Sequence, residues 1–463
     1  MRLARLIGPE LADLLRESPD ELGDLLDEVH PEDIADIVSE FDDEQATALL
    51  SRLPTDIAAQ VFERLDEQRQ WALAGMLGVD STARIATEMR PDERVDFFSK
   101  LPPDVAEPLL ESLEKVDPQA AEEVEELSRW PQTSAGGLMT TGYVAVSPGL
   151  RISEAIDELR RHAAEAAETI DVIYVVGPES RLFGFLTLRT LLLTDPSTRV
   201  SDVMQENVIS VPPEMDQEEV ARTIAKYDLQ TLPVVSDKGE LLGIITADDI
   251  MDVLNEEQSE DVQKMAAVAP IGEGYFDASF WKYIQKRAPW LMILFVSGFF
   301  TTTAMKAFDK VLTAITQLAF YVPLLISAGG NSGSQSSTLV IRGLAVGDIK
   351  TNDWYRVLAR ELLQGIALGA LLASFGVVRA LVAGDGTHIA TVIALTIVGI
   401  VVMGCVVGGM MPILLHRLRI DPATSSTPFI ATLVDVLGIV IYLGLAQILL
   451  LGAAAAAEGA VGG

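Results

Sequence analysis

Five long apolar segments crowd the last third of this 463-residue chain, and they constrain its fold more than any other feature. They run roughly from Pro289 to Phe308, Val311 to Ala328, Leu362 to Val382, Ile389 to Leu415 and Pro428 to Leu451. Each is near the ~20 residues with which an α-helix spans a bilayer. Hydrocarbon offers no water to backbone N–H and C=O groups, so helices are the expected form. Lys and Arg in short loops set orientation. Lys282, Lys286 and Arg287 precede the first segment, Arg342, Lys350, Arg356 and Arg360 follow the second, and Arg417 and Arg419 follow the fourth. The opposite side has only Lys306, Lys310 and Arg379. An N-terminus inside and a C-terminus outside are therefore expected.

Asp435 is the sole charged side chain in the last apolar segment. A carboxylate in hydrocarbon is expensive, and such residues mark ion paths more often than they serve packing. Thr432 lies on the same helix face, one turn earlier. The second segment contains Gln317 and Pro323 and runs into Gly329-Gly330-Asn331-Ser332-Gly333-Ser334-Gln335-Ser336. Small residues let helices approach closely. Non-helical backbone at membrane depth is tolerated where it lines a cavity, so freed carbonyls and the Asn331 amide are candidate acceptors there.

The formal net charge of −33 is concentrated in the first 261 residues. That charge disfavours nucleic acid and favours cations. Cys405 is the only cysteine, which excludes an intrachain disulfide. The opening MRLARLIGPELADLL lacks the long apolar core of a signal peptide. His30, His162, His388 and His416 are scattered, and no nucleophile–base set or phosphate loop is visible, so an enzyme is not expected.

Residues 1–130 read as helical repeats. His30-Pro31-Glu32-Asp33-Ile34-Ala35 is echoed by Leu53-Pro54-Thr55-Asp56-Ile57-Ala58 and Leu101-Pro102-Pro103-Asp104-Val105-Ala106, and more weakly from Met89 to Arg94. Pro in the first turn with Asp just after it signals a helix start. Short helical repeats stack into a superhelix.

The period then changes. Val172–Val176 and Leu182–Leu186 read as strands, and the pattern returns at Thr231–Val235 and Leu241–Ile245. Gly137-Leu138-Met139-Thr140 and Ser201-Asp202-Val203-Met204 open the two copies. This duplication resembles a tandem pair of CBS repeats, residues 131–199 and 200–255, a regulatory module that often binds adenine nucleotides. In such modules an Asp after the second strand holds ribose. Asp249 stands there in the second copy and Thr190 in the first. Residues 256–287 form an acidic connector, and an apolar stripe of Ile250, Val253, Leu254, Val262 and Met265 reads as an amphipathic helix that runs into it.

The order of helical repeats, CBS pair, acidic connecting helix and five-helix membrane domain (288–463) is similar to that of the MgtE family of bacterial magnesium channels and transporters. So are Ala319-Phe320-Tyr321-Val322-Pro323, the glycine-rich stretch and Ala431-Thr432-Leu433-Val434-Asp435. The resemblance implies a multi-domain homodimer in the bacterial inner membrane, with a pore on its two-fold axis lined by the second and fifth spans. Asp435 would be its selectivity carboxylate, with Ala431, Thr432, Gly329, Gly330 and Asn331 along the path. Regulatory Mg²⁺ would bind Asp92 and Asp96 in the helical domain. In the second CBS copy it would bind Asp216, Glu218, Asp228, Asp249 and Asp252. In the connecting helix the ligands would be Glu257, Glu260 and Asp261. ATP at the CBS pair is implied through Asp249. Two positions depart from the pattern of some members, Thr427 where Asn precedes the last span and Asp309 where Glu follows the first. Transport of another divalent cation such as Co²⁺ or Mn²⁺, or a nucleotide-sensing membrane regulator that transports nothing, are the alternatives. An anion channel would want Arg or Lys at mid-span, and the segments offer none.

Overall fold

The computed structural model describes residues 26, 29–162, 169–272, 274–276 and 278–451. The opening segment weighed above as a signal peptide lies outside them. The chain divides into two compact units, Met1–Leu254 and Asn255–Gly463.

The first unit begins with α1 (Pro31–Glu40), α2 (Asp43–Leu50), α3 (Thr55–Glu63), α4 (Glu67–Leu77), α5 (Val79–Glu88), α6 (Pro91–Lys100), α7 (Pro103–Val116) and α8 (Pro118–Leu127). The Pro–Asp signatures mark starts as expected. Pro31, Pro91 and Pro103 open their helices, and Pro54 precedes α3. Proline has no N–H to lose in the first turn. Aspartate caps α2 and α4, which lack it. Asp42 Oδ1 accepts from Gln45 N at 2.8 Å, and Asp66 Oδ1 accepts from Arg69 N at 2.9 Å. Helices pack two apart, α1 on α3, α3 on α5 and α5 on α7, which is the stacking of a superhelix. Phe62 and Phe97 meet edge to face at 5.2 Å in the core.

A short helix α9 (Ala135–Leu138) leads to β1 (Ala145–Val146), α10 (Ile152–His162), β2 (Val172–Val176), β3 (Leu182–Thr187) and α11 (Leu188–Leu193). The second copy has α12 (Gln217–Tyr227), β4 (Thr231–Val235) and β5 (Leu241–Thr246). Strand β1 pairs parallel with β2, and β2 pairs antiparallel with β3. β4 and β5 repeat the antiparallel hairpin, with an irregularity at the same point, Val175/Val176 and Val234/Val235. Tyr174 and Thr231 hydroxyls join the copies at 2.9 Å. Burial pushes the Tyr174 phenol up to about 12. One apolar core runs from the helical repeats through Met139 to Leu232, Ile245 and Val253.

Helix α13 (Ala247–Met265) carries the chain out of the first unit. Its expected apolar stripe holds only at its start. Ile250 and Val253 are buried, whereas Leu254 is 37 % and Val262 67 % exposed. Past Leu254 the helix makes polar contacts instead.

The second unit holds α14 (Phe280–Ala307), α15 (Asp309–Ala314), α16 (Gln317–Ala345), α17 (Trp354–Ala383), α18 (Gly386–Arg417) and α19 (Thr427–Ala446). Among the described residues four helical stretches are long and apolar enough to cross a membrane: Phe280–Ala307, Thr351–Ala383, Gly386–Arg417 and Thr427–Leu450. The second apolar segment departs from expectation. The helix breaks at Ile315, and α16 then continues unbroken through the glycine-rich stretch, with no non-helical backbone there. Packing explains this, because α16 lies against both α18 and α19. A Cβ on Gly329 would overlap Ile400, and one on Gly408 would overlap the Gly333 carbonyl. The glycines serve close helix approach rather than a broken backbone.

Candidate functional site

Gly330 brings α16 beside the acid of α19. A Cβ there would lie 3.5 Å from Ala431 Cβ and 3.8 Å from Asp435 Oδ1. Asp435 is half-buried and makes no hydrogen bond or ion pair with another described residue. Thr432 turns back on its own helix, its Oγ1 donating to Pro428 O at 2.9 Å. Asn331 is exposed, and its Nδ2 donates to Ser327 Oγ at 3.3 Å. Thus Gly330, Ala431 and Asp435 come together, with Asn331 one residue on. Gly329 faces Ile400 and Val434 instead.

The acids of the first unit form a different arrangement from a converging ligand set. Among the described residues no group of three or more His, Cys, Asp or Glu side chains could hold a metal ion. Instead Arg90, just before α6, stands among them. Its Nη2 lies 2.8 Å from Glu93 Oε1, its Nη1 3.6 Å from Asp249 Oδ1, and its backbone N donates to Glu63 Oε1 at 2.7 Å. Burial, above all, pushes Glu93 up to about 7, against the pull of Arg90. Asp92 and Asp96 share α6, and Lys100 pairs with Asp96 at 3.4 Å. Asp216 caps α12, Glu218 pairs with Arg222, and Asp228 ends the same helix at φ 51°. Asp252 is exposed on α13.

Asp249 also accepts from Thr246 Oγ1 at 2.5 Å. In the first copy Thr187 and Thr190 hydroxyls meet at 2.9 Å in the corresponding place. A cavity of about 280 Å³ lies between the hairpins, lined by Tyr174, Phe185, Asp228, Thr231 and neighbours, with neither Asp249 nor Thr190 on its wall.

In the second unit, Glu257, Glu260 and Asp261 lie near the end of α13 beside two residues that no local pattern singles out. Lys264 Nζ bonds Asp421 Oδ2 at 2.7 Å and also pairs with Glu260. Burial and then the Asp421 charge raise the Asp261 carboxyl above its ordinary range. Burial works against the Lys264 charge, but hydrogen bonds to Asp421 and Glu260 more than offset it and raise its pKa. Asp421 sits in a loop without periodicity, and Arg90 reads as a surface charge until the chain folds.

Residues 29–133 match the family model for the MgtE intracellular N domain, residues 135–195 and 200–256 match the CBS domain, and residues 322–445 match the divalent cation transporter domain of MgtE. The magnesium transporter MgtE of Thermus thermophilus is 45 % identical over 335 residues, which cover 72 % of this chain and 74 % of that protein. The chain belongs to the MgtE family. The Bacillus subtilis magnesium transporter MgtE is 32 % identical over 382 residues, covering 82 % of this chain and 83 % of that protein. A crystal structure of the soluble part of a magnesium transporter superposes with a TM-score of 0.52 at 30 % identity, covering 55 % of this chain and 99 % of that one. MgtE proteins are divalent cation transporters rather than enzymes, and this member is a membrane protein by its family and its apolar helices.

Proposed function

We propose that this chain is a Mg²⁺ channel, assembled as a homodimer with a pore on its two-fold axis lined by α16 and α19. The observation that carries the reading is Asp435, an acid on an apolar helix, held beside Gly330 and Ala431 with no cationic side chain among the described residues to neutralise it. Two such carboxylates across a dimer axis match the charge of one divalent ion. Mg²⁺ sheds water reluctantly. Backbone carbonyls and the Asn331 amide would then hold waters of the ion, with Asp435 charge behind them. The acidic N-terminal half stays inside, and the C-terminus lies outside.

Closure by cytoplasmic Mg²⁺ is part of the same reading. Mg²⁺ is bound through one or two carboxylates with its waters, so pairs such as Asp261 and Asp421 are sufficient ligands. An ion at about ten times its Kd contributes roughly 1.4 kcal/mol when it binds only the closed state. About four weak sites therefore supply the roughly 5.5 kcal/mol that moves a gate from 1:99 to 99:1. An adenine nucleotide at the CBS pair, held through Asp249, would be a second effector.

Flux into liposomes across a divalent series tests the reading. Mg²⁺ flux should be abolished in Asp435→Asn, which keeps the shape and loses the charge. Normal flux in that variant would remove Asp435 from the ion path. Flux of Co²⁺ or Mn²⁺ without Mg²⁺ would change the ion, and no flux of any would leave a nucleotide-sensing regulator.

A further inference from the structure

A second carboxylate lies inside the membrane unit and takes no part in the function proposed above. Glu361 is 5 % exposed, two turns into α17. Its Oε2 accepts from Ser336 Oγ of α16 at 2.6 Å, in a buried hydrogen bond. A Cβ on Gly409 of α18 would lie 2.7 Å from its Cγ and 3.3 Å from its Cδ. Three helices thus meet on one acid. Among the described residues no Lys or Arg pairs with it.

Burying a carboxylate costs free energy that a leucine at the same place would not, and Leu362 and Leu363 follow directly. What Glu361 adds is a directed bond. Ser336 lies seven residues after Gly329 and three after Gly333, on one face of α16. That face meets α18 through small residues, since a Cβ on Gly333 would lie 3.1 Å from Gly404 O. Such a seam permits close approach, and Ile400 seated against Gly329 gives it shape, but van der Waals contacts alone resist small sliding or rotation only weakly. A short hydrogen bond does oppose both, because it weakens steeply with distance and angle. The neighbouring face of the same helix presents Gly330 to Ala431 and Asp435.

We propose that Glu361 is a positioning residue: through Ser336 it fixes the height and rotation of α16, and so the distance between the Gly330 backbone and Asp435. Cation discrimination depends on that distance. The proposal rests on the reading of Asp435 as the ion site.

Full-length protein in liposomes, with Mg²⁺ and Co²⁺ flux measured over a concentration series, tests it. Glu361→Gln keeps an oxygen that accepts from Ser336. It should stay within about twofold of wild type in flux and in the Mg²⁺/Co²⁺ ratio. Ser336→Ala and Glu361→Ala should each shift that ratio by about tenfold, and the double variant should be no worse than the worse single. Three results would overturn the proposal. One is loss of transport in Glu361→Gln, which would mean that the charge itself acts. Another is a wild-type ratio in Ser336→Ala. The third is losses that multiply in the double variant. Should Glu361→Ala not fold, Ser336→Ala and Glu361→Gln decide the matter. Asp435→Asn runs alongside. If it is dead while Ser336→Ala is normal, only the positioning role fails; if it transports normally, the ion site fails first.

Discussion

Lys264 Nζ lies 2.7 Å from Asp421 Oδ2, and the same ammonium pairs with Glu260 one turn before it on α13. A tethered cation therefore already occupies part of the acidic joint where Mg²⁺ is proposed to act. Lys264→Gln should leave Glu257, Glu260, Asp261 and Asp421 to repel one another when no divalent ion is present. A partly exposed pair is worth about 1 kcal/mol, or roughly fivefold in an opening equilibrium. The expected outcome is faster proteolysis between residues 265 and 280 in EDTA, with the difference from wild type closing as Mg²⁺ is added. Equal cleavage rates in EDTA would show that Lys264 does not hold the joint.

Arg90 gives the first unit a similar internal cation. Glu63 is almost fully buried, its side chain 3 % exposed, and Arg90 contributes both its backbone N–H and its guanidinium. Arg90→Ala should destabilise the protein by about 1–3 kcal/mol, because buried Glu63 loses its nearer guanidinium partner and keeps Arg64 at 3.9 Å. Added Mg²⁺ should then raise the melting temperature of the variant more than that of wild type. An equal response to Mg²⁺ would mean that the freed acids bind no ion.

Glu93 supplies a pH dependence. Its carboxyl is raised from 4.5 to about 7, chiefly by burial. A folded-state pKa above the unfolded one means that the folded state holds the proton more tightly. The stability contribution is therefore complete below about pH 4.5 and lost as pH rises through 7. Discounted for its partial exposure, the effect is about 1 kcal/mol. Glu93→Gln should flatten the melting profile between pH 5 and 8 and be the more stable protein at pH 8. A profile parallel to wild type would assign the slope to other groups.

The repeats were legible because proline and aspartate act within one helical turn, so Pro31, Pro91 and Pro103 mark helix starts whatever surrounds them. Asp435 was legible because its neighbours are all apolar. Glu361 was not. Hydropathy places the edge of its segment at Leu362, with Arg356 and Arg360 just before it, whereas the helix begins at Trp354 and carries the acid inside. The glycine-rich stretch was read rightly as a seam for close helix approach and wrongly as freed backbone. Local glycine content favours a broken backbone, but contact with α18 and α19 keeps the helix whole. Arg90, Lys264 and Asp421 acquire meaning only from partners distant in sequence, which no local pattern encodes.

Adjacent glycines in that stretch should respond in opposite ways. A Cβ on Gly329 would overlap Ile400 Cγ2 and lie 2.8 Å from Val434 Cγ1, inside a packed seam. Overpacking of this kind costs about 1–3 kcal/mol. A Cβ on Gly330 meets only ordinary contacts, at 3.5 Å from Ala431 and 3.8 Å from Asp435. Alanine is also the better helix former, by about 1 kcal/mol at a compatible site. Gly329→Ala should therefore lower the melting temperature in detergent, and Gly330→Ala should hold or raise it. Transport should divide the other way once destabilisation is allowed for, since the Gly330 methyl stands beside the carboxylate of the proposed ion site. At matched amounts of folded protein in liposomes, Gly330→Ala should lose Mg²⁺ flux while Gly329→Ala keeps more of it. Wild-type flux in a well-folded Gly330→Ala protein would show that the ion passes Asp435 without approaching α16.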